Sequence, residues 1–231
     1  MSNYFRNFQK TLYTLETDNT DIRLVTNILN RSTFLREVAE NISLFYPYDV
    51  QEYDTPEIIA DKLYGDSGRH WIVLLFNIIM NPYYTFPMNQ RVLGEFIMTK
   101  YGITLEEATQ VIHSYEREET RKVTAFTGSS YAISETTSTI AINEYEVDPT
   151  TGYRNARTDL PVTADTVIEL PSEIHVIIPG QQTLEISARN RALSIYTYED
   201  RVNEKNKAIK LLDARYVSQV EKEFKRLMNG K

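Results

Sequence analysis

The sequence predicts an α+β fold: a helix-and-strand body, then a β-rich region, then a C-terminal amphipathic helix. Three observations predict it. Between Asp54 and Ala108 helix-start and helix-stop signals follow one another closely. From about Arg121 to Ile186 the chain alternates Thr, Ser, Val and Ile between turn signals, a strand texture. After Asp213, the residues Tyr216, Val217, Val220, Phe224, Leu227 and Met228 make one apolar stripe at helical spacing.

Residues 1–45 form an N-terminal docking segment and a helix. Tyr4, Phe5 and Phe8 are the strong apolar anchors of residues 1–20, which read as a lead-in that orders on a partner. Asp21–Ile28 alternates like a strand, and Ser32–Asn41 is spaced like a helix. In residues 46–87, Tyr46–Gln51 reads as a strand. Thr55 is placed to cap a helix with Pro56 at its first position, and Gly65 suits its left-handed stop. Ile58, Ile59 and Leu63 are its expected buried face. A second helix over Ser67–Asn77 carries Trp71, and Asn81-Pro82-Tyr83-Tyr84 starts an extended aromatic segment.

Residues 88–118 read as a helical extension. One helix spans 89–101. The next opens on the capping box Thr104-Leu105-Glu106-Glu107 and fades near Tyr115. Residues 119–188 are a β-rich region or insertion, with turns at Asp148-Pro149, Gly152 and Pro179-Gly180 and a flexible tip over Gly128–Thr139. Residues 189–231 are a basic segment holding a strand over Ala208–Leu212 and the amphipathic helix, which must pack on the body or on a neighbour.

Charge is unevenly spread. Of the 25 Lys+Arg and 32 Asp+Glu, residues 189–231 hold 11 and 6, leaving 14 and 26 in the rest. An acidic body with a basic tail favours complementary docking between protein surfaces, or between copies of the chain. The tail mixes both signs and has no basic run, which argues against nucleic acid. There are no cysteines, hence no disulfide framework or thiolate metal site. The N-terminal MSNYFRNFQK lacks a basic stretch before an apolar run, so no secretory signal is expected. Trp71–Met80, the most apolar run, is too short to cross a bilayer, so no membrane is expected as partner.

No chemistry-bearing constellation emerges. His70, His113 and His175 are far apart with no HExxH or paired spacing, and neither a P-loop, a GxGxxG nor a GxSxG is present. Asp148–Asp159 has the length of a calcium loop without its alternating acids. Glu116-Arg117-Glu118-Glu119 reads as a solvated surface. The expectation is a protein that is not an enzyme and has no cofactor or metal. Its candidate functional residues are apolar contacts: Phe5, Phe8, Tyr83, Tyr84, Phe86, Tyr216, Val220, Phe224 and Leu227. The sixteen tyrosines suit interfaces, being large, amphipathic and of low entropy cost.

Tyr48–Gly65 resembles the opening of a LysM module, in which a strand, a polar turn ending in Asp54-Thr55 and a helix lead into a second helix. A narrower likeness joins Tyr64-Gly65-Asp66, His70–Leu75 and Asn81-Pro82-Tyr83-Tyr84 to Phe5-Arg6-Asn7-Phe8 and Asn203-Glu204-Lys205 with Ala208–Leu212. In that order they resemble the baseplate wedge protein of contractile-tailed bacteriophages that contains a LysM-like domain. The resemblance covers about residues 1–10, 46–87 and 195–229. It implies a strand-helix-helix-strand core; Ile178–Gln181 resembles the LysM ending, which would make the middle region an insertion before the closing strand. It also implies a non-catalytic subunit that joins wedges into the ring around the hub. Its partners would be other wedge proteins, the sheath-initiating baseplate protein and hub proteins, with the virion tail as its place and assembly in the host cytoplasm. On that reading, residues 213–231 can be deleted without loss of the remaining fold. The alternative is a LysM-type peptidoglycan- or chitin-binding module acting through the Asp54–Pro56 turn.

Overall fold

A computed structural model describes residues 4–14, 22–28 and 42–228. Along the chain, a 3-10 turn at Phe5–Asn7 precedes strands β1 (Lys10–Thr14) and β2 (Ile22–Thr26). A second 3-10 turn, Ile42–Leu44, leads to β3 (Phe45–Asp49), α1 (Pro56–Tyr64), α2 (His70–Phe76) and α3 (Pro82–Thr85). Then come α4 (Gln90–Tyr101), α5 (Leu105–Gln110), β4 (Ile112–Phe126), β5 (Tyr131–Ile142), β6 (Tyr145–Val147), β7 (Arg154–Ala156), β8 (Val167–Glu169), β9 (Glu173–Ile178) and β10 (Gln182–Ser194). The chain closes with α6 (Ile195–Lys207), β11 (Ala208–Leu212) and α7 (Ala214–Met228). Helix and strand are mixed as an α+β class requires. Two compact units result, one from Met1–Asn89 with Asn203–Lys231, the other from Gln90–Val202. The helix expected over Ser32–Asn41 lies outside the described residues.

Part of the first unit is a strand, two helices and a returning strand. β11 pairs antiparallel with β3, Lys210 opposite Pro47 and Leu212 opposite Phe45. The start of α1 follows its sequence: the Thr55 hydroxyl accepts from the Ile58 N–H, Pro56 stands in the first turn, and Gly65 closes the helix at φ 66°. The buried face is Ile59, Ala60 and Tyr64, whereas Ile58 is 41% exposed. Ile58 was expected inside, but the turn of the helix directs it to solvent. The core adds Trp71, Ile72, Val73 and Phe76 from α2, Ile209, Leu211 and Leu212 from β11, and Val217, Val220, Phe224 and Met228 from α7.

Two expectations are corrected here, and the choice left open for the C-terminal helix is decided. The aromatic segment after Asn81 is helical over Pro82–Thr85, because the Asn81 side chain caps the Tyr83 N–H and Pro82 fits the first turn. The strand that closes on β3 is Ala208–Leu212; Ile178–Gln181 is a hairpin turn in the other unit, with Gly180 at φ 72°. The C-terminal helix packs into the core of its own unit.

In the second unit a sheet runs in the order β5-β4-β10-β8, with β9 also on β10. The capping box at Thr104 and Glu107 forms as expected. That helix ends at Gln110, not near Tyr115, because the chain turns extended at Val111 and enters the fifteen-residue β4. Gly128–Thr139 is not a loose tip. Only Thr127–Ser130 turns, and Tyr131–Ile142 pairs along β4. Thr and Ser run well in a strand once paired, since β-branched residues suit a pleated surface. The turn signals at Asp148 and Gly152 sit between β6 and β7, with Gly152 at φ 73°.

Candidate docking surfaces

The N-terminal aromatics are fastened to their own chain. Tyr4 stacks on Phe224 at a centroid distance of 5.0 Å, Phe224 lies 4.6 Å from Trp71, and Tyr4 meets Phe8 edge-on at 4.9 Å. Phe8 is buried while Phe5, 5.4 Å from it, is half-exposed. The segment that reads as an isolated lead-in is therefore ordered, over Tyr4–Phe8, by the tryptophan helix and the C-terminal helix. Of the nine candidate contact residues, Phe8, Phe86, Val220 and Phe224 are core residues of the first unit, and Tyr216 packs partly against that core. Their task there is to hold the unit together. Phe5, Tyr83, Tyr84 and Leu227 remain largely at the surface.

The Asp54–Pro56 turn is occupied by folding contacts. The Asp54 carboxylate is buried and accepts from the Tyr48 hydroxyl at 2.7 Å, the Lys62 ammonium at 2.6 Å and the Gln51 N–H at 3.2 Å. Burial works against its charge, yet these bonds, with Lys62 and Tyr48 foremost, outweigh it and hold its pKa below the ordinary value. The same bond to Asp54, aided by burial, pushes the Tyr48 phenol up to about 12.

A second loop carries exposed apolar side chains. At the end of α2 the Ile79 N–H bonds Leu74 O at 2.9 Å and the Ile78 N–H bonds Leu75 O at 3.2 Å. This paired pattern is the Schellman stop, in which the residue at the Ile78 position normally is glycine. Ile78 takes φ 57°. For a β-branched residue that conformation costs about 1–2 kcal/mol, because Cβ crowds the following carbonyl. Ile78 gains little burial in return, being 81% exposed, and Met80 at 70% and Tyr83 at 85% extend the same surface-lying run. Sequence reasoning found Tyr83 and Tyr84 here but missed Ile78. The signal was present: a helix stop with no glycine.

The second unit buries a polar cluster beside apolar residues such as Leu93, Ile97 and Leu193. Asn190 is fully buried, accepts from Arg117 Nε at 2.9 Å and donates to Asp159 Oδ2 at 2.9 Å; Arg117 and Arg157 both reach the same carboxylate oxygen. Arg157 is the main reason that the Asp159 carboxyl lies below its usual range. The Glu116–Glu119 run, expected as a solvated surface, is tied into ion pairs: Glu118 with Arg189 across the sheet at 2.6 Å and Glu116 with Arg201 of α6 at 2.7 Å. β5 is exposed along nearly its whole length, Ile133 and Ile140 included.

No catalytic constellation assembles from the expected candidates. His70 faces Ser67 O, His113 stacks on Tyr198 at 3.8 Å, and His175 meets Glu173. Among the described residues no cluster of His and acidic side chains is arranged to hold a metal, and no helix is long and apolar enough to cross a membrane.

Residues 3–134 match the model of one protein family, Base plate wedge protein 53. Among individually curated proteins none matches the chain. The match takes in the N-terminal aromatics, helices α1 to α3 of the first unit and the start of β5, and stops short of β10, β11 and α7. Covering more than half of the 231 residues, it shows that the chain belongs to the base plate wedge protein 53 family, a structural component of the phage tail base plate that works in contact with other base plate proteins.

Proposed function

We propose that this protein joins neighbouring wedge proteins of a contractile tail into the ring around the hub, by protein–protein contacts alone and without catalysis. Family membership over residues 3–134 carries this reading. The strand-helix-helix-strand part of the first unit is a LysM-like rigid block, tied by the β3–β11 pair. It presents Phe5, Tyr83, Tyr84 and Leu227 to partners, among them the sheath-initiating protein and hub proteins. Large exposed apolar side chains of this kind favour interfaces, where aromatic area is gained at low entropy cost. Assembly takes place in the host cytoplasm before the tail is complete.

The test is co-expression with the base plate proteins of the same phage, followed by size-exclusion chromatography and mass spectrometry. The expected result is a stoichiometric complex containing this chain and wedge proteins. A monomer that ignores those proteins and sediments with purified peptidoglycan or chitin would replace the reading with wall binding.

A further inference from the structure

We propose that β5 is the contact between two copies of this protein, paired antiparallel, edge to edge, about a two-fold axis at Thr136. This goes beyond the wedge reading: the family match ends at residue 134, inside β5.

The sheet of the second unit has two unlike edges. Among the described residues β5 pairs with β4 alone, so alternate residues along its length of twelve turn their N–H and C=O groups outward. Edge strands are normally blunted by proline, lysine, a bulge or shortness, because free backbone groups recruit another strand. β5 has none of these. Tyr131–Ile142 holds no Pro, Lys or Arg, and its one charge is Glu135. Its register with β4 runs unbroken from the Phe126–Tyr131 pair to the Tyr115–Ile142 pair. The opposite edge is blunted. There β10 is covered by the three-residue β8 and the six-residue β9, with a register shift between Gln182 and Thr183 and Pro179 directly after β9.

What fits an open strand edge is another strand, and length selects which strand of a copy it is. β4 and β10 are paired on both sides, and every other described strand except β5 has six residues or fewer. A head-to-tail contact with the opposite edge of a copy would meet β8 and β9, two short strands with a break over residues 170–172. Only β5 of the second copy matches β5 along its whole length.

A two-fold contact requires a strip that complements itself, and β5 is such a strip. With Thr136 on the axis, Glu135 stands opposite Thr137, Ser134 opposite Ser138, Ile133 opposite Thr139, Ala132 opposite Ile140 and Tyr131 opposite Ala141. β-Branched residues face one another at the centre, large side chains face small ones at the ends, and no charge directly opposes a like charge. Glu135 also has Lys122 opposite it on β4. Because the other edge of the sheet is blunted, the pairing closes at two copies and does not grow into a fibre.

The test is sedimentation velocity of the full-length chain over a concentration series, and a monomer–dimer equilibrium is expected. Thr136 is exposed, so Thr136→Lys leaves the fold unchanged by circular dichroism. It sets two ammonium groups against each other on the axis and weakens the dimer by about tenfold or more, whereas Thr136→Val leaves the dimer intact. Because the chain has no cysteine, a single introduced one reports the register. Mild oxidation is expected to link two copies of Thr136→Cys, which meet on the axis. Ser134→Cys stays unlinked, because it faces position 138 of the second copy and is too far from its own counterpart for a disulfide. A protein that remains monomeric at every concentration overturns the proposal. So does a dimer that Thr136→Lys leaves unchanged, growth past two copies, or a monomer whose β5 takes a strand of another base plate subunit. None of these outcomes touches the wedge reading, which co-expression tests separately.

Discussion

The carboxamide of Asn77 accepts from the backbone N–H of Lys210 at 2.9 Å and donates to its carbonyl at 2.8 Å, so one side chain satisfies both backbone groups of a residue on β11. The reason lies across the sheet. Lys210 stands opposite Pro47 at a position of the ladder where its N–H and C=O face α2, and a proline, with no N–H to offer, fits the partner position. Asn203 repeats the device on Met88, accepting from its N–H at 2.7 Å and donating to its carbonyl at 2.9 Å.

Asn77→Ala leaves both groups of Lys210 without this partner. The expected loss is about 2 kcal/mol, within the range for an unsatisfied, partly buried pair. It is read from urea unfolding followed by the fluorescence of Trp71, the only tryptophan. An unchanged midpoint would mean that water replaces the amide. Asn77→Asp, which accepts but cannot donate when ionised, is expected to fall below the wild type as well.

Phe224 and Trp71, 4.6 Å apart, make the second prediction. Phe224→Ala removes a ring that is 1% exposed and in contact with Tyr4, Phe8 and Trp71. A loss of about 3–5 kcal/mol follows from the burial and the cavity left behind. Deleting residues 213–231 removes Val217, Val220, Phe224 and Met228 together, so the first unit is expected to unfold. This outcome is the opposite of a terminal helix dispensable to the fold. Circular dichroism and protease sensitivity of the truncated protein decide it.

Local chemistry was legible in the sequence. Thr55-Pro56, Gly65, the Thr104 box and the stripe of α7 each specify structure within a few residues, and each formed as expected. What the sequence concealed depends on residues far apart. The Glu118–Arg189 pair joins positions 71 apart, and Asn77 meets Lys210 across 133. A carboxylate on a strand carries no mark of its cross-strand partner, so the 116–119 run read as a solvated surface. Contact candidates suffered in the same way. An apolar stripe such as that of α7 is the same pattern whether it faces a partner or its own core, so Phe8, Val220 and Phe224 could not be told from Leu227.

Two helix ends make a matched pair. Gly65 closes α1 at φ 66° with open space where a Cβ would stand, so Gly65→Ala costs only the conformational strain, about 1 kcal/mol. Ile78→Gly at the end of α2 runs the other way and is expected to stabilise by about the same amount. Denaturant midpoints of both variants test the sign. Equal signs would show that left-handed strain does not govern these two helix ends.

The Asp54 cluster contributes to the pH response of the first unit on both limbs. Asp54 has a folded pKa below its unfolded value of 3.8, so the unfolded chain binds more protons at acid pH. Its contribution is complete above the unfolded value and is lost as pH falls through the lower folded one. Tyr48 is the opposite case. Its folded pKa, about 12, lies above the ordinary 10.0, so its contribution is complete below 10 and disappears as pH rises toward 12. Asp54→Asn removes the charge that raises the phenol and so attacks both limbs. The expected outcome is a flatter stability profile below pH 4, and a Tyr48 titration moved down toward 10 when followed by phenolate absorbance. Lys62→Met separates the two effects: it withdraws one donor from Asp54 and leaves the Tyr48 hydrogen bond in place, so only the acid limb shifts. An acid limb unchanged in both variants would mean that other carboxylates, such as Asp159 with its arginines, govern acid unfolding.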